Sequence, residues 1–130
     1  MPKFTVYVEG HFDAAHFLPR YKGKCHNLHG HRWVVRLYAS ASRLNPNGMV
    51  VDFGRLKEVL NPILDKLDHK CLNDVFSGTK TLGNPPNPTA ERLAQYIYRQ
   101  AKKQLPTYVY AVEVFESPGC CVRYGGESDA

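Results

Sequence analysis

The hydrophobic period of this 130-residue chain changes from two to about 3.6 and back to two, and that change limits the folds open to it. In "KFTVYVEGHF", Phe4, Val6 and Val8 alternate with Thr5, Tyr7 and Glu9, which predicts a half-buried strand over residues 3–12. "HGHRWVVRLYASAS", from His29 to about Ser42, is rich in β-branched and aromatic residues and stops at the turn "NPNG". It predicts a second strand, long enough to pair with the first. Asp52 then reads as a helix N-cap, because Leu56, Val59, Leu60, Ile63, Leu64 and Leu67 follow at helical spacing, with Pro62 inside the run as a candidate kink. Beyond the turn-rich "SGTKTLGNPPNP", Thr89 or a neighbour caps a second helix whose Leu93, Ala94, Ile97, Tyr98, Ala101 and Leu105 share one face and which Pro106 stops. "YVYAVEVFES" and "CCVRYG" predict two closing strands joined at "SPG". The order β-β-α-α-β-β predicts an α+β fold with two helices on one face of an antiparallel sheet, as a single domain over residues 1–130.

Such a length can bury a sizeable core without a metal or disulfide staple. "MPKFTVYVEG" lacks an export-signal pattern and no apolar run approaches about 20 residues, so a soluble cytoplasmic protein without membrane contact is expected. The four cysteines, Cys25, Cys71, Cys120 and Cys121, form no CxxC pair and suit a reducing compartment. Net charge is +5, but the 17 basic residues are scattered, with no RNP-like or helix-turn-helix pattern, so no nucleic-acid partner is expected. One basic group stands apart: Arg20, Lys22 and Lys24 lead straight into Cys25.

"KCHNLHGH" then raises the question of a metal. On a strand, residues i and i+2 share a face, so His29 and His31 can bring both imidazoles to one ion, with Gly30 between them. His16, in "DAAHFLP" just past the first predicted strand, is the candidate third ligand. Three histidines with an open fourth position make a catalytic zinc arrangement, whereas a structural site uses four protein ligands. His11 and His26 read as bystanders. Cys25 is open at this point between a fourth ligand and a free thiol acting as a general base. "LDHKCLN" supplies the adjacent Asp68 and His69, and "VFES" supplies Glu116 near a strand end. Taken singly, Asp68 and His69 read better as a solvated helix C-terminus, and Glu116 better as an exposed strand-end carboxylate, than as parts of a site.

In this order, "AAHFLP", "KCHNLHGH", "GMVVDF", "LDHKCLN", "NPTAERLAQYI" and "VEVFES" closely resemble the 6-pyruvoyltetrahydropterin synthase and 6-carboxytetrahydropterin synthase family, from about Phe4 to Tyr124. The resemblance implies a tunnelling fold (T-fold), whose subunits join their sheets into a barrel as trimers or hexamers. It implies zinc held by His16, His29 and His31, Cys25 as proton acceptor, Asp68 and His69 as a relay, and Glu116 as the anchor of a pterin ring. Thr89, in "PTAE", resembles a pterin-contacting position. The family often has asparagine after that glutamate, where Arg92 stands here. Three residues between the cysteine and the H-G-H resemble the carboxy-forming branch of the queuosine pathway.

The implied substrate is 7,8-dihydroneopterin triphosphate; Arg20, Lys22 and Lys24 read either as the group that meets its phosphates or as a solvated basic loop. The alternatives are the pyruvoyl-forming reaction on the same substrate, a non-catalytic pterin binder on the same fold, and a zinc-stabilised nucleic-acid module. The last would need a fourth protein ligand and salt-dependent binding.

Overall fold

Strand β1 (Phe4–His16) and strand β2 (His29–Ala41) pair antiparallel along their whole length, from Phe4 opposite Ala41 to His16 opposite His29. They form the middle of the sheet in a computed structural model that describes residues 2–126. Helix α1 (Phe53–Asp65) follows, then the two-residue strand β3 (Lys70–Cys71), the single-turn helix α2 (Leu72–Val75), helix α3 (Ala90–Gln104), and strands β4 (Val109–Ser117) and β5 (Cys120–Gly125). The sheet order is β3-β1-β2-β4-β5, antiparallel except where β3 runs parallel to Ala14 and Ala15. The α+β fold and its order agree with the sequence reading, with β3 and α2 added.

One face of the sheet is covered and carries the core. Along β1 the buried residues are Val8, Phe12, Ala14 and His16; along β2 they are Trp33, Val35, Leu37 and Ala39. This period of two is what a sheet with one buried face requires. Helix α1 turns Leu56, Val59, Leu60, Ile63 and Leu64 onto it, and α3 turns Leu93, Ala94, Ile97 and Ala101. Gly10 lets α1 come close: a Cβ there would meet Leu64 Cδ1 at 2.8 Å. Both helix starts are capped as expected. Asp52 Oδ1 accepts from Gly54 N at 2.6 Å, and Thr89 Oγ1 accepts from Arg92 N at 3.2 Å. Pro62 lies within α1 without ending it, and α3 ends two residues before Pro106.

The first strand runs four residues beyond its predicted end at 12, and His16 is its last residue rather than a loop residue. The alanines of "DAAH" show little hydrophobic contrast, but they pair with Gly30 and His31 on one side and with β3 on the other. Among the described residues, no helix is long and apolar enough to cross a membrane, and Cys25, Cys71, Cys120 and Cys121 are free thiols.

Candidate metal centre and active site

The β1–β2 register brings three histidines together. His16 and His29 are direct cross-strand partners, and His31 is two residues on, so all three occupy the face that buries Trp33. Their ring centroids are 4.5 Å (His16–His29), 5.3 Å (His16–His31) and 4.8 Å (His29–His31) apart. Trp33 forms the floor, edge-on to His16 at 4.9 Å and to His31 at 5.4 Å. Phe12 stacks against that indole at 5.9 Å, and the Trp33 N–H donates to Ala14 O at 3.3 Å.

Outer hydrogen bonds select the ligand form of two of these rings. His16 Nδ1 lies 2.8 Å from Pro88 O, and His29 Nδ1 lies 2.7 Å from Asn27 O. A carbonyl oxygen only accepts, so each Nδ1 carries the proton and each Nε2 presents a lone pair. The Nε2 atoms of His16, His29 and His31 are all buried without a hydrogen-bond partner. His31 Nε2 does approach Glu116 Oε1 to 3.3 Å, but outside hydrogen-bond geometry. Burial pushes the His16 pKa down, against the Pro88 bond that raises it, and so favours the neutral imidazole a metal needs.

One ligand atom from each histidine lies within 4.8 Å of the others. Nitrogens bound to one tetrahedral ion at about 2.0–2.1 Å are about 3.3 Å apart, inside that limit. Three buried, unpaired imidazole nitrogens converging on one point are costly for a protein alone and suit a metal ion.

Glu116 comes from β4, two residues beyond Val114, which faces the core opposite Val35; it therefore reaches the same end of the same face as His31. Asp68 and His69 arrive from the turn between α1 and β3. Asp68 Oδ2 lies 2.8 Å from His69 Nδ1, and Asp68 Oδ1 accepts the Asp13 N–H at 2.9 Å. The His69 N–H in turn donates to Asp13 O at 2.6 Å. These bonds hold His69 in a left-handed backbone conformation, φ 58°, which is uncommon for a residue with a side chain. The Asp13 N–H, then His69, keeps the Asp68 carboxyl below its usual range, and Asp68 raises the His69 pKa. His69 is largely exposed and does not join the three-histidine cluster, but it borders the same open hollow as His31, Gly30 and Lys70.

Cys25 sits in a single 3-10 turn, Lys24–His26, whose carbonyl at Cys25 accepts from Leu18 N at 2.8 Å. That bond ties the thiol's turn to the chain two residues past His16. The thiol is partly exposed and is not part of the histidine cluster. Arg20, Lys22 and Lys24 are exposed, and Arg20 Nη2 donates to Asn84 O at 3.3 Å, linking this loop to the one before α3. Thr89 Oγ1 is engaged as the α3 cap, next to the carbonyl that orients His16.

Sequence reasoning passed over Asp13, Pro88 and Asn27. Pro88 and Asn27 act through backbone carbonyls, which carry no residue-type signal. Asp13 holds Asp68 and His69 through its backbone, while its carboxylate receives Arg32 Nε at 2.9 Å and Nη2 at 3.0 Å. Its place directly before "AAH" was the available clue.

Residues 5–127 match the family model described as 6-pyruvoyl tetrahydropterin synthase. The chain is 38% identical over 126 residues to 6-carboxy-5,6,7,8-tetrahydropterin synthase of Synechocystis sp., covering 93% of this chain and 92% of that one. It is 36% identical over 109 residues to 6-pyruvoyl tetrahydrobiopterin synthase of Dictyostelium discoideum, covering 81% and 76%. The solved structure of Caenorhabditis elegans 6-pyruvoyl tetrahydropterin synthase superposes with a TM-score of 0.81 at 28% identity, covering 98% of each chain.

Proposed function

Because this chain belongs to the 6-pyruvoyl tetrahydropterin synthase family and has its T-fold, we propose that it is a zinc-dependent 6-carboxy-5,6,7,8-tetrahydropterin synthase of the queuosine pathway. It would act on 7,8-dihydroneopterin triphosphate in the cytoplasm, as a trimer or hexamer. With one water consumed, the side chain is cut to leave 6-carboxytetrahydropterin, acetaldehyde and triphosphate. The observation that carries the reading is the trio of buried, unpartnered Nε2 atoms on His16, His29 and His31.

In this reading those three nitrogens hold the zinc ion. Bound there, zinc supplies Lewis acidity toward the side-chain hydroxyls of the substrate. Glu116 anchors the pterin, its carboxylate accepting two hydrogen bonds from the N–H groups of the pyrimidine edge. Cys25, as thiolate, takes a proton from the side chain; it serves as base rather than ligand, which its place outside the histidine cluster supports. His69 moves the second proton at Nε2. Its Nδ1–H is held on Asp68, which fixes the tautomer and favours the protonated ring. Thr89 contacts the pterin, and Lys24 with Arg20 and Lys22 meets the triphosphate.

The pyruvoyl-forming reaction is the second reading, favoured by the Dictyostelium relative. It eliminates triphosphate and keeps the three-carbon side chain. The short Cys25–His29 spacer, with only His26, Asn27 and Leu28 inside it, favours the carboxy branch. The deciding experiment supplies purified zinc-loaded protein with 7,8-dihydroneopterin triphosphate and measures acetaldehyde beside the pterin product. Stoichiometric acetaldehyde is expected; pyruvoyltetrahydropterin without acetaldehyde overturns the choice of branch.

A further inference from the structure

Among the described residues only two polar residues are buried, His16 and Asn73. Asn73 lies on α2, immediately after the Asp68–His69 segment and β3, and its amide spends every group it has on backbone from elsewhere. Its Oδ1 accepts the Phe17 N–H at 3.0 Å, and its Nδ2 donates to Phe17 O at 2.9 Å and to Pro86 O at 3.4 Å. An amide has two N–H donors and one carbonyl acceptor, so all of these groups are used.

The partners give that arrangement a direction. Phe17 directly follows His16, and Pro86 is two residues before Pro88, whose carbonyl holds His16 Nδ1. A single side chain therefore fixes both the backbone from which the His16 ring projects and the loop that sets the ring's tautomer and tilt. Through β3 and α2 the same residue ties the Asp68–His69 segment to the end of β1. A ligand nitrogen must be held to within a few tenths of an ångström to serve a metal, and that precision comes from the groups behind it.

We propose that Asn73 is a positioning residue for the metal centre, acting on His16 through Phe17 and the Pro86–Pro88 loop. Outer partners of metal ligands typically contribute 10- to 100-fold to metal affinity. Asn73 acts further out, through the chain at Phe17 and Pro86, which places its effect near the lower end, about tenfold. It does not touch the substrate and leaves the reaction itself to the residues already named.

The inference rests on the proposed zinc site, so the experiment begins with zinc affinity of the full-length wild-type protein, measured by competition with a chelator. Absence of zinc binding there defeats the proposed function before any variant is made. Asn73→Asp keeps the acceptor for Phe17 N–H and loses both donors; Asn73→Ser keeps a small group able to satisfy one partner. Each is expected to weaken zinc binding about tenfold. Each should also shift the Nδ1–H signal of His16 in the metal-free protein, because its bond to Pro88 loosens. Val109→Ala, a core truncation of a buried residue paired with Ala39 near the other end of β2, supplies a control. It lowers stability but should leave zinc affinity and the His16 signal as in the wild type. A folded Asn73 variant with wild-type zinc affinity overturns the proposal while the zinc centre stands. If neither variant folds, the amide serves the fold and the proposal falls as well.

Discussion

Zinc should raise the melting temperature of this protein without being needed for it to fold, and the size of the rise can be worked out. The core built on Phe12, Trp33, Val35 and Leu37 is closed by α1 and α3 and owes nothing to the three Nε2 atoms. At a free zinc concentration 100 times the dissociation constant, linkage adds about 2.7 kcal/mol. Unfolding entropy is about 2.1 cal/mol/K per residue, or about 0.27 kcal/mol/K for the 130 residues, so the midpoint should rise by about 10 °C. The informative variant is His29→Ala. It loses one hydrogen bond, from Nδ1 to Asn27 O, worth about 1 kcal/mol, but it also removes a buried nitrogen with no partner, whose desolvation costs about 1–3 kcal/mol. The metal-free variant should therefore melt within a few degrees of metal-free wild type, while its zinc-dependent rise disappears. Thermal melts by circular dichroism, at fixed protein concentration with and without zinc, test both halves. A metal-free wild type that does not fold, or a variant that keeps the full rise, would refute the reasoning.

Cys25→Ala should keep its zinc and its pterin binding yet lose at least 10²- to 10⁴-fold in turnover, the usual contribution of general acid–base catalysis, and zinc lost from that variant would point to a ligand instead. Asp68→Asn removes the carboxylate that raises the His69 pKa, so the His69 midpoint followed by NMR should fall toward the ordinary histidine value; an unmoved midpoint contradicts the pairing. The sign for stability follows. A raised His69 pKa stabilises the fold fully below about pH 6.5 and loses that effect as pH climbs through the folded value, so in denaturation series the wild type and Asp68→Asn should differ most on the acid side of that window. Gly10→Val should lower stability by about 1–3 kcal/mol through overpacking against Leu64 and Leu60, read as a lower urea midpoint with the zinc content unchanged.

Most of the fold was legible because its long elements carry strong periodicity: the buried positions of α1 and α3 are nearly those that spacing picks out. What escaped was short or weakly contrasted. Ala14 and Ala15 hide the last turn of alternation in β1, so the strand appeared to stop before His16. Two residues of β3 and four of α2 are too few to show a period. In the candidate site, side chains of a type able to bind a metal or move a proton stood out in the sequence, as His29, His31 and Cys25 did. The groups that orient them did not, because Pro88 O and Asn27 O could belong to any residue, and the bond from Asp13 N to Asp68 joins positions 55 apart. Such contacts depend on how distant segments meet, which local pattern does not encode.

The unbroken ladder between β1 and β2 also makes assembly of the site all-or-nothing. A slip of one residue in that ladder would send every side chain of the slipped strand to the opposite face. His29 and His31 would leave His16 in the same step that took Trp33, Val35 and Leu37 out of the core. A mispaired chain therefore keeps His29 and His31 side by side on one face but cannot bring His16 to them, so it cannot present the three-ligand centre. Metal held with three-histidine affinity would then act as a proofreading mark, reporting that thirteen cross-strand pairs have each found the right neighbour.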